Sequence, residues 1–108
     1  MEVFARLIEL KPESTQRVDD WAKFIAANRD EAINTLRNEG VQVESWFALT
    51  LEGKQYLLCY MRVESWGKAQ AAAEQSDSLV DAYHQQFKVD AWVRGAGTMG
   101  KLLVDLTQ

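Results

Sequence analysis

Apolar positions recur with a period of two in some stretches of this chain and with a period near 3.6 in others, which predicts strands alternating with helices. The stretch Val41 to Val63 carries the strongest signal. It reads as two strands rich in branched and aromatic residues, joined through Leu51-Glu52-Gly53-Lys54, where Gly53 supplies the positive φ of a tight hairpin turn. Along the second strand Tyr56, Leu58 and Tyr60 point one way, and Leu57, Cys59, Met61 and Val63 the other. Both faces of this hairpin are therefore apolar, and a sheet built on it needs a cover on each side.

Residues Glu2 to Glu9 alternate in the same way, with Phe4, Arg6 and Ile8 on one side and Val3, Ala5 and Leu7 on the other. Pro12 stops this strand and opens a helix whose first turn holds Glu13. Val18, Trp21, Ala22, Ile25, Ala32, Ile33 and Leu36 then make one helical stripe as far as Glu39, with Gly40 as a left-handed stop. Asn28 followed by Glu31 has the form of a capping box, the one point at which this helix would break. After the hairpin, Ser65 caps an alanine-rich helix, and Ser76-Asp77-Ser78 interrupts it before a second segment with Leu79, Val80, Tyr83 and Phe87. Gly95 to Gly100 reads as a loop, and Leu102 to Leu106 as a closing strand.

The order strand, helix, strand, strand, helix, strand, with right-handed crossovers, predicts an α+β, ferredoxin-like βαββαβ domain over residues 1–108 with a four-stranded antiparallel sheet. Both helical regions then lie on one face. The expected cover for the other is a second copy, giving a homodimer through the sheet faces.

Composition narrows the function classes. The 108 residues are 47% hydrophobic and 26% charged with a net charge of −4, which suits a single globular domain and disfavours nucleic acid or an anionic membrane as partner. The mixed-charge N-terminal run lacks the form of a signal peptide and no run reaches the length of a membrane span, so a cytoplasmic location is expected. The single cysteine, Cys59, reads as a buried inert thiol. Gly95-Ala96-Gly97-Thr98-Met99-Gly100 matches G-x-G-x-x-G but follows a helix instead of opening one, so no dinucleotide site is expected. The repeat of Val-Glu-Ser-Trp at Val43 and Val63 is coincidental, since the two copies fall in different structural contexts.

The lone histidine, His84, sits at the edge of the last helical stripe, with Asp81 one turn earlier to orient it or raise its pKa. The structural alternative is a half-buried histidine bonded to a backbone carbonyl. No His-x-x-x-His or Cys-x-x-Cys accompanies it, so no metal is expected. Arg6, Glu44, Tyr60 and Arg62 have a parity that would line a common face with charged atoms under one register of the sheet; the reading set ahead of it is that Glu44 and Arg62 lie at strand ends and simply reach water, since register is not legible in a single sequence. The tryptophans, Trp46 among them, read as core and interface anchors.

Leu36-Arg37-Asn38-Glu39-Gly40 leading into Glu44-Ser45, Tyr56-Leu57 with Tyr60, and Asp81-x-x-His84 resemble the dimeric α/β-barrel superfamily, and within it a bacterial family akin to L-rhamnose mutarotase. The resemblance implies a small organic ligand in a cleft between sheet and helices, often with no cofactor. Arg6, Tyr60, Asp81 and His84 would be the catalytic group, and Glu44, Trp46, Tyr56 and Arg62 the ligand-binding set. The mutarotase's catalytic histidine lies on the first helix, where this chain has none. The haem-degrading monooxygenases are also similar, with His84 in place of their haem-ligating histidine, but their tryptophan shortly before it and their first-strand asparagine are missing. The expected activity is thus a cofactor-free isomerase or epimerase acting on a polar, sugar-like molecule. A non-catalytic interaction domain and a haem-binding monooxygenase-like protein are the alternatives.

Overall fold

The computed structural model describes residues 1–108, apart from the side chain of residue 96. Four strands and four helices follow in the order β1 (Glu2–Leu10), α1 (Thr15–Ala27), α2 (Arg29–Glu39), β2 (Val41–Leu51), β3 (Lys54–Val63), α3 (Trp66–Glu74), α4 (Leu79–Ala91) and β4 (Trp92–Met99). The sheet is antiparallel with strand order β2-β3-β1-β4, the ferredoxin-like arrangement. At the hairpin both Glu52 (φ 51°) and Gly53 (φ 79°) are left-handed, which matches the turn to the twist of its strands.

Each helical region is broken in two. Asn28 separates α1 from α2, but its side chain makes no capping bond; its amide donates to the Phe24 carbonyl. The break therefore falls where the Asn28-x-x-Glu31 pattern put it, without the expected box. Glu31 instead accepts from the Ser78 hydroxyl at 2.8 Å, tying α2 to the start of α4. Ser65 and Ser78 cap α3 and α4 as their spacing predicts, accepting from the backbone N–H of Lys68 and Val80. Gly40 ends α2 in the left-handed conformation (φ 70°). The first helix starts later than expected: Glu13 has a positive φ of 63° and stays outside it, and Thr15 is its first residue.

The last strand corrects the sequence reading. β4 runs from Trp92 to Met99, through the glycines assigned to a loop, while residues 102–106 form no strand. The reason is the crowding beside β1. Gly97 pairs with Ile8, and a Cβ there would lie 3.2 Å from Cδ of Arg6, so the strand at this position accommodates Arg6 because it lacks a side chain.

All four helices pack on one face. Ile8, Leu10 and Leu57 meet Trp21, Phe87 and Ala91 in the main core, and Val41, Val63 and Ala69 make a second. Side chains of the opposite parity, Leu7, Leu58, Tyr60 and Phe47 among them, join neither, and Phe47 is 55% exposed. Beyond Gly100, the chain is anchored by a two-bond pairing of Arg62 with Asp105, and Leu102, Leu103, Val104 and Leu106 stay exposed.

Leu57 is 1% exposed at the centre of β3. Leu57→Ala should lower unfolding stability by about 2–5 kcal/mol in denaturant titration, and a loss below about 1 kcal/mol would contradict its place in the core.

Candidate functional site

A sheet and the helices above it pack about 10 Å apart, and long side chains normally fill that gap. Here each helix contributes short ones to the lining, Ala22 and Ala26 on α1, Ala32 on α2, Ala69 and Ala73 on α3, and Ala82 on α4, beside larger ones such as Trp21, Ile25 and Leu36. A cavity of about 950 Å³ results. Its floor is the helix-facing row of the strands, including Phe4, Arg6, Glu44, Trp46, Cys59 and Met61. Glu39 enters from the end of α2, and Asp81, His84 and Lys88 from one face of α4, at the three- and four-residue spacing that stacks side chains on a helix.

Strand register decides which expected residues share this space. Arg6 pairs with Cys59, and Cys59 with Trp46, in one row beneath the helices. Tyr60 pairs with Ala5 and Ser45 in the next row, which faces the other way, and Arg62 and Tyr56 have the same parity as Tyr60. The structure thus brings together Arg6, Glu44, Trp46, Asp81 and His84. It separates Tyr60, Tyr56 and Arg62 from them, because a shift of one residue along a strand turns a side chain to the opposite face. Arg62 stacks over Tyr60, its guanidinium carbon 5.7 Å from the ring centre, and pairs with Asp105, so it serves the uncovered face.

His84 differs from expectation in its partner. Its Nδ1 accepts a hydrogen bond from the Trp21 indole N–H at 3.1 Å. No bond joins it to Asp81, whose Oδ2 is buried without a partner. Trp21 is itself held by stacking on Phe87, with ring centres 4.7 Å apart, and by an edge contact to Trp46 at 5.4 Å. A nitrogen that accepts carries no proton, so the imidazole proton resides on Nε2. Burial, then the charges of Lys88 and Arg6, pushes the His84 pKa down to about 3. At neutral pH His84 is a neutral hydrogen-bond donor, and an acid–base role near neutrality passes to another group. The same polarity does not fit an axial haem ligand: a metal-bound histidine donates from its second ring nitrogen, and here that nitrogen accepts.

The better acid–base candidate is Glu39. Burial, with Asp81 and Glu44 nearby, raises its pKa to about 7. Burial also raises that of Glu44, against the hydrogen bond it accepts from the Trp46 indole at 3.2 Å. Lys88 is shifted down by burial and by Arg6. Both cations lie over the Trp92 ring, Arg6 at 5.3 Å and Lys88 at 5.0 Å from its centre. Burial raises the Cys59 thiol to about 12, so it is no nucleophile at neutral pH. Reading the sequence for lone special residues missed Lys88 and Glu39. The usable signal was the spacing Asp81-x-x-His84-x-x-x-Lys88, which aligns three ionisable groups on one helix face.

These shifts set opposite pH trends. Between about 6.5 and 3 the unfolded state binds a proton at His84 that the native state refuses, so this contribution to stability is lost as pH falls. Between about 4.5 and 7 the native state keeps a proton on Glu39 that the unfolded state gives up, so stability from this group falls as pH rises. In NMR titrations the His84 ring should be flat from pH 8 to pH 4 and the Glu39 carboxyl carbon should titrate near 7. A His84 midpoint near 6.5 would contradict the enclosed, Trp21-bonded imidazole.

Comparison with known proteins supports the fold more than the chemistry. Among solved structures the chain is similar to one described as "Putative antibiotic biosynthesis monooxygenase from Nitrosomonas europaea". The TM-score is 0.54 at 15% sequence identity, with 96% of this chain and 100% of that one covered. At that identity the likeness establishes the shared ferredoxin-like fold. No curated protein matches the sequence. One family matches across residues 1–108, and the chain accordingly belongs to DUF6176, a family of unknown function.

Proposed function

We propose that this protein binds a small, oxygen-rich organic molecule in the cavity between sheet and helices and moves a proton on it, as a cofactor-free isomerase or epimerase. One observation carries the reading. Six ionisable side chains, Arg6, Glu39, Glu44, Asp81, His84 and Lys88, line a single cavity, and among the described residues none of them is in an ion pair within 4 Å. Withdrawing so many charges and near-charges from bulk water costs stability, and a fold gains nothing from it unless the groups act on something.

Their chemistry suits proton transfer next to a carbonyl or hemiacetal. Glu39, with a pKa near 7, is matched to accept and return a proton at neutral pH. Nε2–H of His84 and the guanidinium of Arg6 are donors for oxygens of the bound molecule, and hold it in place while the proton moves. Glu44, fixed by the Trp46 indole, supplies a second carboxyl on the sheet side. With Cys59 held as a thiol, a covalent thioester or thiohemiacetal route is disfavoured.

The uncovered sheet face supports pairing of two copies. Leu7, Leu58 and Phe47 are cross-strand neighbours there, with Tyr60 of the same parity, and Leu102, Leu103 and Leu106 are exposed apolar residues of the segment that Asp105 ties to Arg62. A face-to-face contact of standard size buries roughly 1,200–2,000 Å².

Two measurements test these readings. Aldoses, ketoses and hydroxy acids should be screened for thermal stabilisation, and each hit followed by proton NMR in D₂O. Wild type should exchange a substrate C–H for deuterium, and Glu39→Gln should bind the same hit but exchange it about 10²-fold or more slowly. A hit that never exchanges, or one that exchanges equally in Glu39→Gln, would contradict proton transfer at this site. In sedimentation the chain should behave as a dimer of its 12.3 kDa mass, and Phe47→Asp should shift it toward monomer; a wild-type monomer at micromolar concentration would contradict the pairing.

A further inference from the structure

The cations of the cavity are not distributed evenly among its carboxylates. Arg6 rises from the centre of β1 and Lys88 descends from α4, and both settle over the same indole, that of Trp92. His84, one turn before Lys88, has its ring centre 6.3 Å from that of Trp92. Three donors from two layers of the fold are therefore gathered about one aromatic ring. Two positive charges brought this close repel each other, and Lys88 is harder to protonate because of Arg6. Among the described residues no carboxylate oxygen comes within 4 Å of either cation, although Glu39 and Glu44 line the same cavity.

The arrangement is also built rather than incidental. Arg6 occupies the middle of a strand on the helix-covered side, where an apolar residue would pack better. Its Cδ lies against Gly97 of the neighbouring strand, where a Cβ would come within 3.2 Å of it and crowd it. The Trp92 ring attracts both cations without neutralising them, since an aromatic ring draws a cation but carries no net charge.

We propose that Arg6, Lys88 and His84 form an oxyanion subsite, so that the molecule bound in the cavity carries a carboxylate or phosphate group. The inference rests on reading the cavity as a ligand site and goes further, since it names the charged end of the ligand. Arg6 offers a planar pair of N–H donors, Lys88 a mobile ammonium and His84 its Nε2–H, a set that matches the several lone pairs of either group. Once the anion is seated, the remainder of the molecule lies toward Glu39 and Glu44, where the proton is moved.

The test uses ¹⁵N-labelled full-length protein titrated in parallel with sodium lactate, inorganic phosphate and the neutral polyol myo-inositol, with sodium chloride holding ionic strength constant. The reporter is the Arg6 Nε–H cross-peak, assigned by its loss in Arg6→Gln. A saturable shift with lactate or with phosphate supports the subsite, and the tighter of the two identifies the group. Affinity should fall roughly tenfold or more in Lys88→Gln, as expected for a lost charge-assisted bond, and recover in Lys88→Arg. The wild-type titration decides the matter even if a variant folds poorly. Absence of saturation with both anions overturns the proposal. If myo-inositol alone binds, the oxyanion subsite is overturned while the cavity stands as a ligand site.

Discussion

The alternation of side chains along β3, locked into register with β1 and β2, governs the rest of this structure. Leu57, Cys59 and Val63 are buried beneath the helices, and Tyr56, Leu58 and Tyr60 face away from them. Because the period is two, no side chain of this strand can serve both layers. The same register carries Arg6 inward opposite Cys59, into a layer it shares with Glu44, Trp46 and Met61. The chemistry of the sheet side of the cavity follows from that inward turn, which sets a guanidinium and a carboxylate beneath the helices with no ion pair within 4 Å between them.

The helices answer this with space. Alanines from all four helices are among the residues that line the cavity, too short to close the gap, whereas Phe87, Ala91 and Ile8 pack closely in the core beside it. A well-packed core at one end thus supports an open chamber beside it. Trp21 links the two, stacked on Phe87 on the core side and donating to His84 on the chamber side. Rigid aromatic packing in this way sets the tautomer of a histidine that lines the cavity, while burial and the charges of Lys88 and Arg6 keep the ring neutral, so His84 is a fixed donor.

Much of the fold was legible in the residues themselves. The hairpin turn, the serine caps of α3 and α4, the glycine stop of α2 and the break at Asn28 are local signals, decided by backbone geometry within a few residues. The last strand was not, because its glycines are loop-formers in isolation and become strand through long-range pairing with β1, with Gly97 leaving room for Arg6. The site divides in the same way. Arg6, Glu44, Trp46, Asp81 and His84 were singled out and do converge, but their bonding was not readable: His84 takes its partner from Trp21, 63 positions away, instead of from Asp81 on its own helix. Which face Tyr60 and Arg62 share was not legible, because register is a long-range property; they lie opposite the row that carries Arg6. Lys88 was overlooked because a lysine on a helix is ordinarily a solvated one.

The most direct examination of this account is a set of nuclear Overhauser contacts in solution at neutral pH. Cross-peaks from the Trp92 ring to the Arg6 Hδ and Lys88 Hε protons, and from the Trp21 indole proton to the His84 ring, are the result the structure predicts, with none joining the Tyr60 ring to α4. Contacts between the Tyr60 ring and His84 would place the opposite face of the sheet beneath the helices and contradict it.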